Sequence, residues 1–265
     1  MVVTVKLSEV GRRLYFDARN LEVKIGSKVV VESTRGLEIG SVSSLKEAND
    51  PALQEAPLLN VVRIATEDDF QNERYNRSLE PFIIQSTKEI VKQYYLEMKI
   101  LSCIYTLDRR KLWIYYEADE RIDFRELLKG LTALFPNVRV ELRQVHTRDS
   151  AKILGGIGSC GYISCCSSFI VEFDSITMRD AKKQDLKLNP DKLSGLCGKL
   201  MCCIKYEEDF YVEAISNGPV NGTFVKTSRG SGKIIDINYL SRRILIRFED
   251  AVTLWFNYNE KGIVE

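Results

Sequence analysis

A cysteine motif that occurs twice constrains this chain more than any other feature of its sequence. The motif is Gly-x-Cys-Gly-x-x-x-Cys-Cys; it begins at Gly158 and again 37 residues later, at Gly195. The two copies hold six of the seven cysteines: Cys160, Cys165, Cys166, Cys197, Cys202 and Cys203. Clustered thiols at a repeated spacing indicate metal ligation, with thiol redox chemistry and core packing as the alternatives.

Composition bears on the compartment in which these thiols work. Of the 265 residues, 45% are hydrophobic and 28% are charged, which is typical of a soluble globular protein. The N-terminus shows no secretory signal pattern, and no apolar run reaches the roughly 18 residues of a membrane span. We therefore expect a cytoplasmic protein without a membrane span, in which structural disulfides are rare.

The ligand set leaves the metal open between iron–sulfur and zinc. Thiolates bind both, and a glycine beside a cysteine lets backbone amides approach the sulfur and offset its charge. Zinc ligands are commonly separated by two to four residues, a spacing that Cys160 and Cys165 just satisfy. Six thiolates suit either three ligands for each of two clusters, with a fourth from a partner chain, or one cluster and two spare thiols. We expect iron–sulfur first and zinc as the alternative.

Hydrophobic periodicity predicts an α+β fold. Residues 68–97 are compatible with helix, although Pro81 predicts a break or a second helix start. Two strand-like runs then flank a hairpin at 108–110, a helical pattern covers 124–134, and an alternating strand covers 138–142. The order α-β-β-α-β predicts a central sandwich similar to part of a ferredoxin-like layout.

Short strands punctuated by glycines flank this centre at both ends of the chain. The phrase Gly26-x-x-Val29 with Arg35-Gly36 is echoed by Gly222-x-x-Val225 with Arg229-Gly230. Both ends are therefore predicted to form small SH3-like β-barrels, or one barrel built from both. The predicted domains are an N-terminal barrel at 1–60, the α+β domain at 61–150, a cysteine-rich irregular and helical segment at 151–210, and a basic C-terminal barrel at 211–265.

A basic segment near the C-terminus raises a second binding hypothesis. Between Val220 and Phe248 one acid, Asp236, accompanies six cations, and Phe224 and Tyr239 add aromatic rings. The cations are Lys226, Arg229, Lys233, Arg242, Arg243 and Arg247. Positioned cations bind a nucleic-acid backbone, so RNA is a candidate partner; a solvated strand face with outward charges is an equal alternative.

The rest of the sequence gives little indication of catalytic or ligand-binding residues. The single histidine, His146, follows a predicted strand and is interpreted as structural or solvent-facing. Cys103 lies in an apolar strand and is interpreted as a buried core residue. The sequence shows neither a nucleophile–base arrangement nor a phosphate-loop or dinucleotide fingerprint.

Four stretches resemble one known family. Residues 121–127, 148–152, 155–161 and 188–203 are similar to the YaaT/RicT family, whose members contain a domain of the polymerase suppressor protein C-terminal type. The doubled cysteine block is the most specific part of this resemblance. One residue departs from the family pattern, because Tyr162 stands where arginine is expected.

The resemblance implies a bacterial regulator that is not itself an enzyme. It implies assembly with two small helical partners, RicA and RicF, into a complex with 4Fe–4S clusters whose ligands come from the doubled motif and from the partners. The ligands implied first are Cys160, Cys165, Cys166 and Cys197, followed by Cys202 and Cys203. By the same resemblance the complex modulates mRNA processing by the endoribonuclease RNase Y and supports sporulation, competence and biofilm development. The alternatives are a zinc-stabilised RNA-binding module acting without iron and, third, a thiol redox enzyme.

Overall fold

The structure, a computed structural model, describes residues 1–7, 13–19, 21–46, 58–170, 174–184, 186 and 188–258. The chain divides into two units, the first comprising Met1–Phe173 with Leu196–Lys199 and the second comprising Asp174–Gly195 with Leu200–Glu265. Each unit contains both helices and sheets. The predicted mixed α+β class is therefore confirmed.

The first unit begins with a closed five-stranded β-barrel. Its strands are β1 (Val2–Lys6), β2 (Arg13–Asp17), β3 (Lys28–Ser33), β4 (Gly36–Lys46) and β5 (Leu59–Ile64). They follow each other around the barrel in the order β1-β2-β5-β3-β4, with β2 and β5 parallel and the other neighbours antiparallel. Apolar residues alternate along the strands, so their side chains point to the same face. The interior is filled by the side chains of Val3, Val5, Phe16, Val29 and Val31.

The central part of the first unit has the predicted element order. Its elements are α1 (Glu67–Gln93), β6 (Lys99–Tyr105), β7 (Lys111–Glu117), α2 (Arg125–Leu134) and β8 (Arg139–Gln144). β7 pairs antiparallel with β6 and parallel with β8. Ile83 of α1 and Leu127 and Leu131 of α2 share one core with Leu112 and Ile114 of β7. Two shorter helices follow, α3 (Thr147–Leu154) and α4 (Cys165–Ser168).

α1 continues through Pro81, so the predicted break or second start at this proline is wrong. An interior proline removes one helical hydrogen bond and typically costs about 3 kcal/mol. Tertiary contacts on both sides of the proline offset that cost. Before it, Asn76 donates a hydrogen bond of 3.2 Å to the Thr106 carbonyl, and after it Ile83 and Thr87 are buried. No helix in the described ranges, α1 included, is long and apolar enough to cross a membrane.

The second unit contains a small helical cluster. Its helices are α5 (Met178–Lys183), α6 (Pro190–Leu193), α7 (Cys202–Tyr206) and α8 (Glu208–Ser216). A capping box is present at the start of α5, because the Asp180 carboxylate accepts from both the backbone N–H and the hydroxyl of Thr177. Ala181, Leu193 and Ile204 form the buried centre of the cluster.

The C-terminal strands form an open sheet rather than the predicted barrel. They are β9 (Phe224–Thr227), β10 (Gly230–Asn238), β11 (Arg243–Phe248) and β12 (Thr253–Asn257). Each pairs antiparallel with its neighbour in sequence, in the order β12-β11-β10-β9. Among these strands β9 and β12 therefore occupy opposite edges, where β9 pairs with β10 and β12 pairs with β11.

The glycine echo between the two ends of the chain corresponds to two similar hairpins. The β3–β4 turn closes at Ser33 and Gly36, and the β9–β10 turn closes at Thr227 and Gly230. In each turn the hydroxyl of the first residue donates to the carbonyl of the glycine, at 3.3 Å and 3.0 Å. Both glycines have positive φ, 130° and 134°. The echo is therefore a repeated turn, placed in a barrel at one end and in an open sheet at the other.

Candidate metal-binding cysteine loops

The two copies of the cysteine motif fold into the same local structure. We call residues 157–168 the first cysteine loop and residues 194–206 the second cysteine loop. An isolated antiparallel bridge closes the first at Ile157 and Ile163, and the equivalent bridge closes the second at Ser194 and Leu200. A short helix starts at the cysteine pair of each loop, α4 in the first and α7 in the second. The sequence repeat is thus a structural repeat.

Backbone hydrogen bonds repeat in the same register. The Ser164 N–H donates to the Gly156 carbonyl at 2.9 Å, and its counterpart, the Met201 N–H, donates to the Leu193 carbonyl at 2.9 Å. Both donors are the residue immediately before the cysteine pair and have extended backbone, with ψ of 132° and 134°. The start of each short helix is therefore fixed by the same contact.

A glycine in the left-handed region forms the reversal inside each loop. Gly161 has φ 83° and Gly198 has φ 71°, and each directly follows the first cysteine of its copy. A Cβ added at either position would meet no atom within 4 Å, so the requirement for glycine comes from backbone conformation and not from crowding. The glycine after the first cysteine of each copy therefore forms a specific turn.

The six motif thiols differ in exposure. Cys160 is exposed, Cys166 is buried at 6%, and the remaining four are intermediate. In the first loop the adjacent pair is therefore split, with Cys165 nearer to solvent than Cys166. Such a split is consistent with backbone geometry, because adjacent residues point in different directions in both helices and strands.

The donor chemistry of the loops fits a thiolate-bound metal, whereas their arrangement does not complete a ligand set. Three thiols lie on each short loop, the type of donor that both zinc and iron–sulfur clusters use. In the part of the chain that the structure describes, however, no three His, Cys, Asp or Glu side chains are placed to hold one metal ion. In these residues the six thiols therefore do not form a complete metal site.

Exposed apolar side chains surround the first loop, a feature that the motif alone did not reveal. Ile157, Tyr162 and Ile163 lie within the loop and Phe169 follows it, and each is more than half exposed. Leu196, which belongs to the same unit, is also exposed, and its Cδ1 would lie 2.9 Å from a Cβ added at Gly156. A turn rich in glycine and serine usually carries polar side chains. Apolar residues at these positions were therefore the sequence signal that could have indicated this exposed apolar surface.

Part of the positive charge near the second loop is paired with a carboxylate. Lys205, which lies two residues after the cysteine pair of the second loop, pairs with the buried carboxylate of Glu208. Glu208 also accepts from Lys183 at 2.6 Å. The hydrogen bond to Glu208 raises the pKa of Lys205, while the hydrogen bonds from Lys183 and Lys205 lower the pKa of Glu208. Two other lysines near this loop, Lys192 and Lys199, are exposed.

The remaining predicted residues fall into clear classes. Cys103 is 1% exposed and belongs to the core of the central sheet, and burial raises its pKa to about 12, so the interpretation as a core residue is confirmed. His146 is exposed at the N-cap of α3. Of the six basic residues, four lie on strands and are exposed, namely Lys226, Lys233, Arg243 and Arg247. Arg229 and Arg242 lie in turns.

Two family models match the chain. The PSP1 C-terminal conserved region matches residues 59–145, which contain β5 and the whole α-β-β-α-β part. The third domain of PSP1-like proteins matches residues 175–217, which contain α5 to α8 and the second cysteine loop.

Whole-chain comparison identifies a relative that matches this chain over nearly its full length. The chain is 39% identical over 269 residues to stage 0 sporulation protein YaaT of Bacillus subtilis (strain 168), covering 99% of this chain and 97% of that protein. It is also 29% identical over 146 residues to the uncharacterized protein PB7E8.02 of Schizosaccharomyces pombe, covering 45% of this chain and 20% of that protein. No solved structure matches the chain. The chain therefore belongs to the PSP1-like family that includes stage 0 sporulation protein YaaT.

Proposed function

We propose that this chain is a cytoplasmic regulatory subunit that holds 4Fe–4S clusters jointly with partner proteins and modulates RNA processing. The observation that carries the proposal is the pair of cysteine loops, which repeat one local fold and each present three thiols without completing a metal site. The proposed ligands are Cys160, Cys165, Cys166, Cys197, Cys202 and Cys203. A bound cluster would supply sensitivity to iron supply and oxidation, and the chain itself is proposed to catalyse no reaction.

The partial ligand sets call for a second source of ligands. Small helical partners of the RicA and RicF type fit this requirement, because a partner that seats against a loop brings its own side chains to the exposed Cys160. The apolar side chains of Ile157, Tyr162 and Ile163 support this contact, since exposed apolar groups around a loop favour burial by another chain. The partner would thereby exclude water from the thiolates.

The proposed output is control of mRNA processing by the endoribonuclease RNase Y. In spore-forming bacteria this would affect sporulation, competence and biofilm development, and the printed name of the Bacillus subtilis relative agrees with the first of these. The chain would act as an adaptor whose assembly with its partners depends on the cysteine loops.

Metal analysis of the assembled complex tests the cofactor. The chain is purified anaerobically together with the two partner proteins, and iron, acid-labile sulfide, zinc and the visible spectrum are measured. We expect iron and sulfide in equal amounts, reduced in the Cys160→Ser and Cys197→Ser variants. The Cys103→Ala variant is the matched control, because Cys103 is buried outside both loops. Stoichiometric zinc without iron or sulfide would overturn the iron–sulfur proposal in favour of a zinc module.

Transcript analysis tests the regulatory role. In cells that carry Cys160→Ser in place of the wild-type chain, we expect transcripts cut by RNase Y to accumulate in unprocessed form while the abundance of the chain stays the same. Cells carrying Cys103→Ala should process these transcripts normally if they contain the same amount of protein. Normal processing in the Cys160→Ser cells would contradict the proposal.

A further inference from the structure

Alternation divides the β9–β12 sheet into a buried face and an outward face. Val225, Ile234, Ile244, Ile246 and Phe248 point into the core of the second unit. The residues between them along the strands point outward, because successive side chains of a strand lie on opposite faces.

One row of paired residues crosses the outward face from edge to edge. Phe224 of β9 pairs with Lys233 of β10, Lys233 pairs with Arg247 of β11, and Arg247 pairs with Thr253 of β12. Four strands at the usual spacing give this row a width of about 14 Å. The Lys233 ammonium lies 6.0 Å from the centre of the Phe224 ring, and the ring is 70% exposed. An aromatic surface and two cations are thus adjacent.

A second aromatic side chain lies on the same face, on the opposite edge strand. Trp255 of β12 pairs with Leu245 of β11, which alternates with Arg243 and Arg247 along its strand. Trp255 is therefore diagonal to both arginines, a position within reach of long side chains. Trp255 is 49% exposed, whereas Phe256 beside it packs into the core.

The outward face carries most of the basic charge of this segment. Lys226, Lys233, Arg243 and Arg247 point outward, against one exposed acid on these strands, Asp236. The two other basic residues lie elsewhere. Arg229 pairs with Asp250 at 3.1 Å and stacks over the Phe248 ring, and Arg242 sits in the β10–β11 turn with φ 56°. Four of the six candidates thus share one surface with two exposed aromatic rings.

This combination identifies the chemistry of the ligand. Cations alone would attract any polyanion, including an acidic protein or a duplex. Exposed aromatic rings among the cations favour a ligand with unstacked planar bases, since base–aromatic stacking needs nucleotides that are not held in a helix. A solvated strand face would need no exposed phenylalanine or tryptophan.

We propose that the outward face of the β9–β12 sheet binds single-stranded RNA. Phe224 and Trp255 stack bases, while Lys226, Lys233, Arg243 and Arg247 neutralise phosphates. The proposal does not depend on the cysteine loops or on any metal.

Binding of a labelled RNA to the full-length chain tests the proposal. The probe is a 12-nucleotide single-stranded RNA of mixed sequence, measured by fluorescence anisotropy at several salt concentrations. Phe224→Ala and Trp255→Ala should each weaken binding about tenfold or more, the range expected for loss of one stacked base. Lys233→Ala and Arg247→Ala should weaken binding and reduce the slope of log K against log salt by about 0.7 each.

Matched variants distinguish RNA binding at this surface from general attraction of RNA to positive charge. Arg242→Ala and Arg229→Ala remove the same charge away from the outward face, so they should change affinity less than twofold. All substituted side chains are exposed, and an unchanged melting temperature would show that each variant is folded. Cys160→Ser should bind RNA as the wild type does, which keeps this test independent of the cluster proposal.

Three results would overturn the proposal. The first is equal binding of the matching double-stranded RNA with no effect of Phe224→Ala or Trp255→Ala, which would indicate simple attraction of a polyanion. The second is equal loss of affinity in Arg242→Ala and Lys233→Ala. The third is no detectable RNA binding by either the chain or its complex with the partners, which would leave the face to an acidic protein.

Discussion

Asp69 connects the last barrel strand to the first helix. Its carboxylate accepts from the Arg63 guanidinium of β5, with Nη2 to Oδ1 at 2.7 Å, and from the Thr66 backbone N–H at 2.8 Å. The Arg63 hydrogen bond, more than any other contact, lowers the pKa of Asp69 below its usual 3.8, against the opposing effect of burial. A carboxylate with this many donors stabilises the native state only while it is ionised.

Asp69→Asn should therefore lower the free energy of unfolding at pH 7 by about 1–2 kcal/mol, the range for loss of a helix cap. Because the pKa of Asp69 is depressed in the folded state, its stabilisation is complete above the unfolded pKa and is lost as pH falls through the folded value. The difference between wild type and variant should shrink below about pH 4. Denaturant titrations at pH 7 and pH 3 check this.

Glu67→Gln is the control for Asp69→Asn, since Glu67 lies in the same first turn but is exposed and outside the capping box. A difference of equal size at pH 3 and pH 7 for Asp69→Asn would contradict the ionic explanation.

Cys103 and Cys160 are chemically identical residues in opposite environments. Burial, assisted by the nearby Glu80 carboxylate, raises the pKa of Cys103 to about 12, and its Sγ donates to the Glu80 carbonyl at 3.6 Å. At pH 8 a thiol with that pKa is ionised in about 1 molecule in 10,000, and the thiolate is the reactive form. Cys160, in contrast, is exposed.

Iodoacetamide at pH 8 should therefore alkylate Cys160 in the folded chain without partners and leave Cys103 unmodified until the chain unfolds. Peptide mass spectrometry with and without guanidinium measures both sites in one sample. Modification of Cys103 at the rate of Cys160 in native buffer would show that the central core opens readily.

At the scale of elements, the two cysteine loops repeat one local backbone arrangement. In both loops a bridge, a left-handed glycine and a short helix follow in the same order. The loops differ in side chains, with Tyr162 and Ile163 in the first where Lys199 and Leu200 occupy the second. The two loops therefore share a backbone arrangement and present different side chains.

Gly161→Ala should destabilise the first loop by about 1 kcal/mol, because an L-residue with a Cβ is strained at positive φ. Gly161→Asn should cost less, since asparagine tolerates this region best among the larger residues. Thermal melts give the stability, and iron content of the assembled complex reports the loop geometry. Equal behaviour of the alanine and asparagine variants would show that the left-handed conformation is not required.

At the scale of the whole molecule, each unit buries its own apolar clusters. The barrel and central-sheet cores belong to the first unit, and the cores of the helical cluster and the open sheet belong to the second. Separate cores predict that damage in one unit is felt mainly within that unit.

Ile246→Ala should lower the stability of the second unit by about 2–5 kcal/mol, because Ile246 is fully buried in the open-sheet core. Hydrogen exchange should show lost amide protection in β10 and β11 and unchanged protection in β3 and β7. Thr253→Ala, at an exposed position of the same sheet, should leave both patterns unchanged. Equal loss of protection in both units would contradict energetic separation.

The sequence by itself determined the features that depend on neighbouring residues. The α-β-β-α-β order followed from periodicity, the start of α5 from the Thr177–Asp180 capping box, and the core position of Cys103 from its apolar strand. The equivalence of the two cysteine loops also followed, because turn geometry and helix starts are set by contacts within a few residues.

Only the tertiary structure decided the features that join distant segments. The parallel β2–β5 pair closes the N-terminal barrel, and the C-terminal strands remain an open sheet. Asn76 and Ile83 anchor α1 on either side of Pro81, so the helix continues through the proline. Strand pairing and burial depend on which segments meet across the fold, so they leave little trace in local periodicity. For the same reason the sequence supplied six basic residues, and the register of the sheet selected the four that share a face with Phe224 and Trp255.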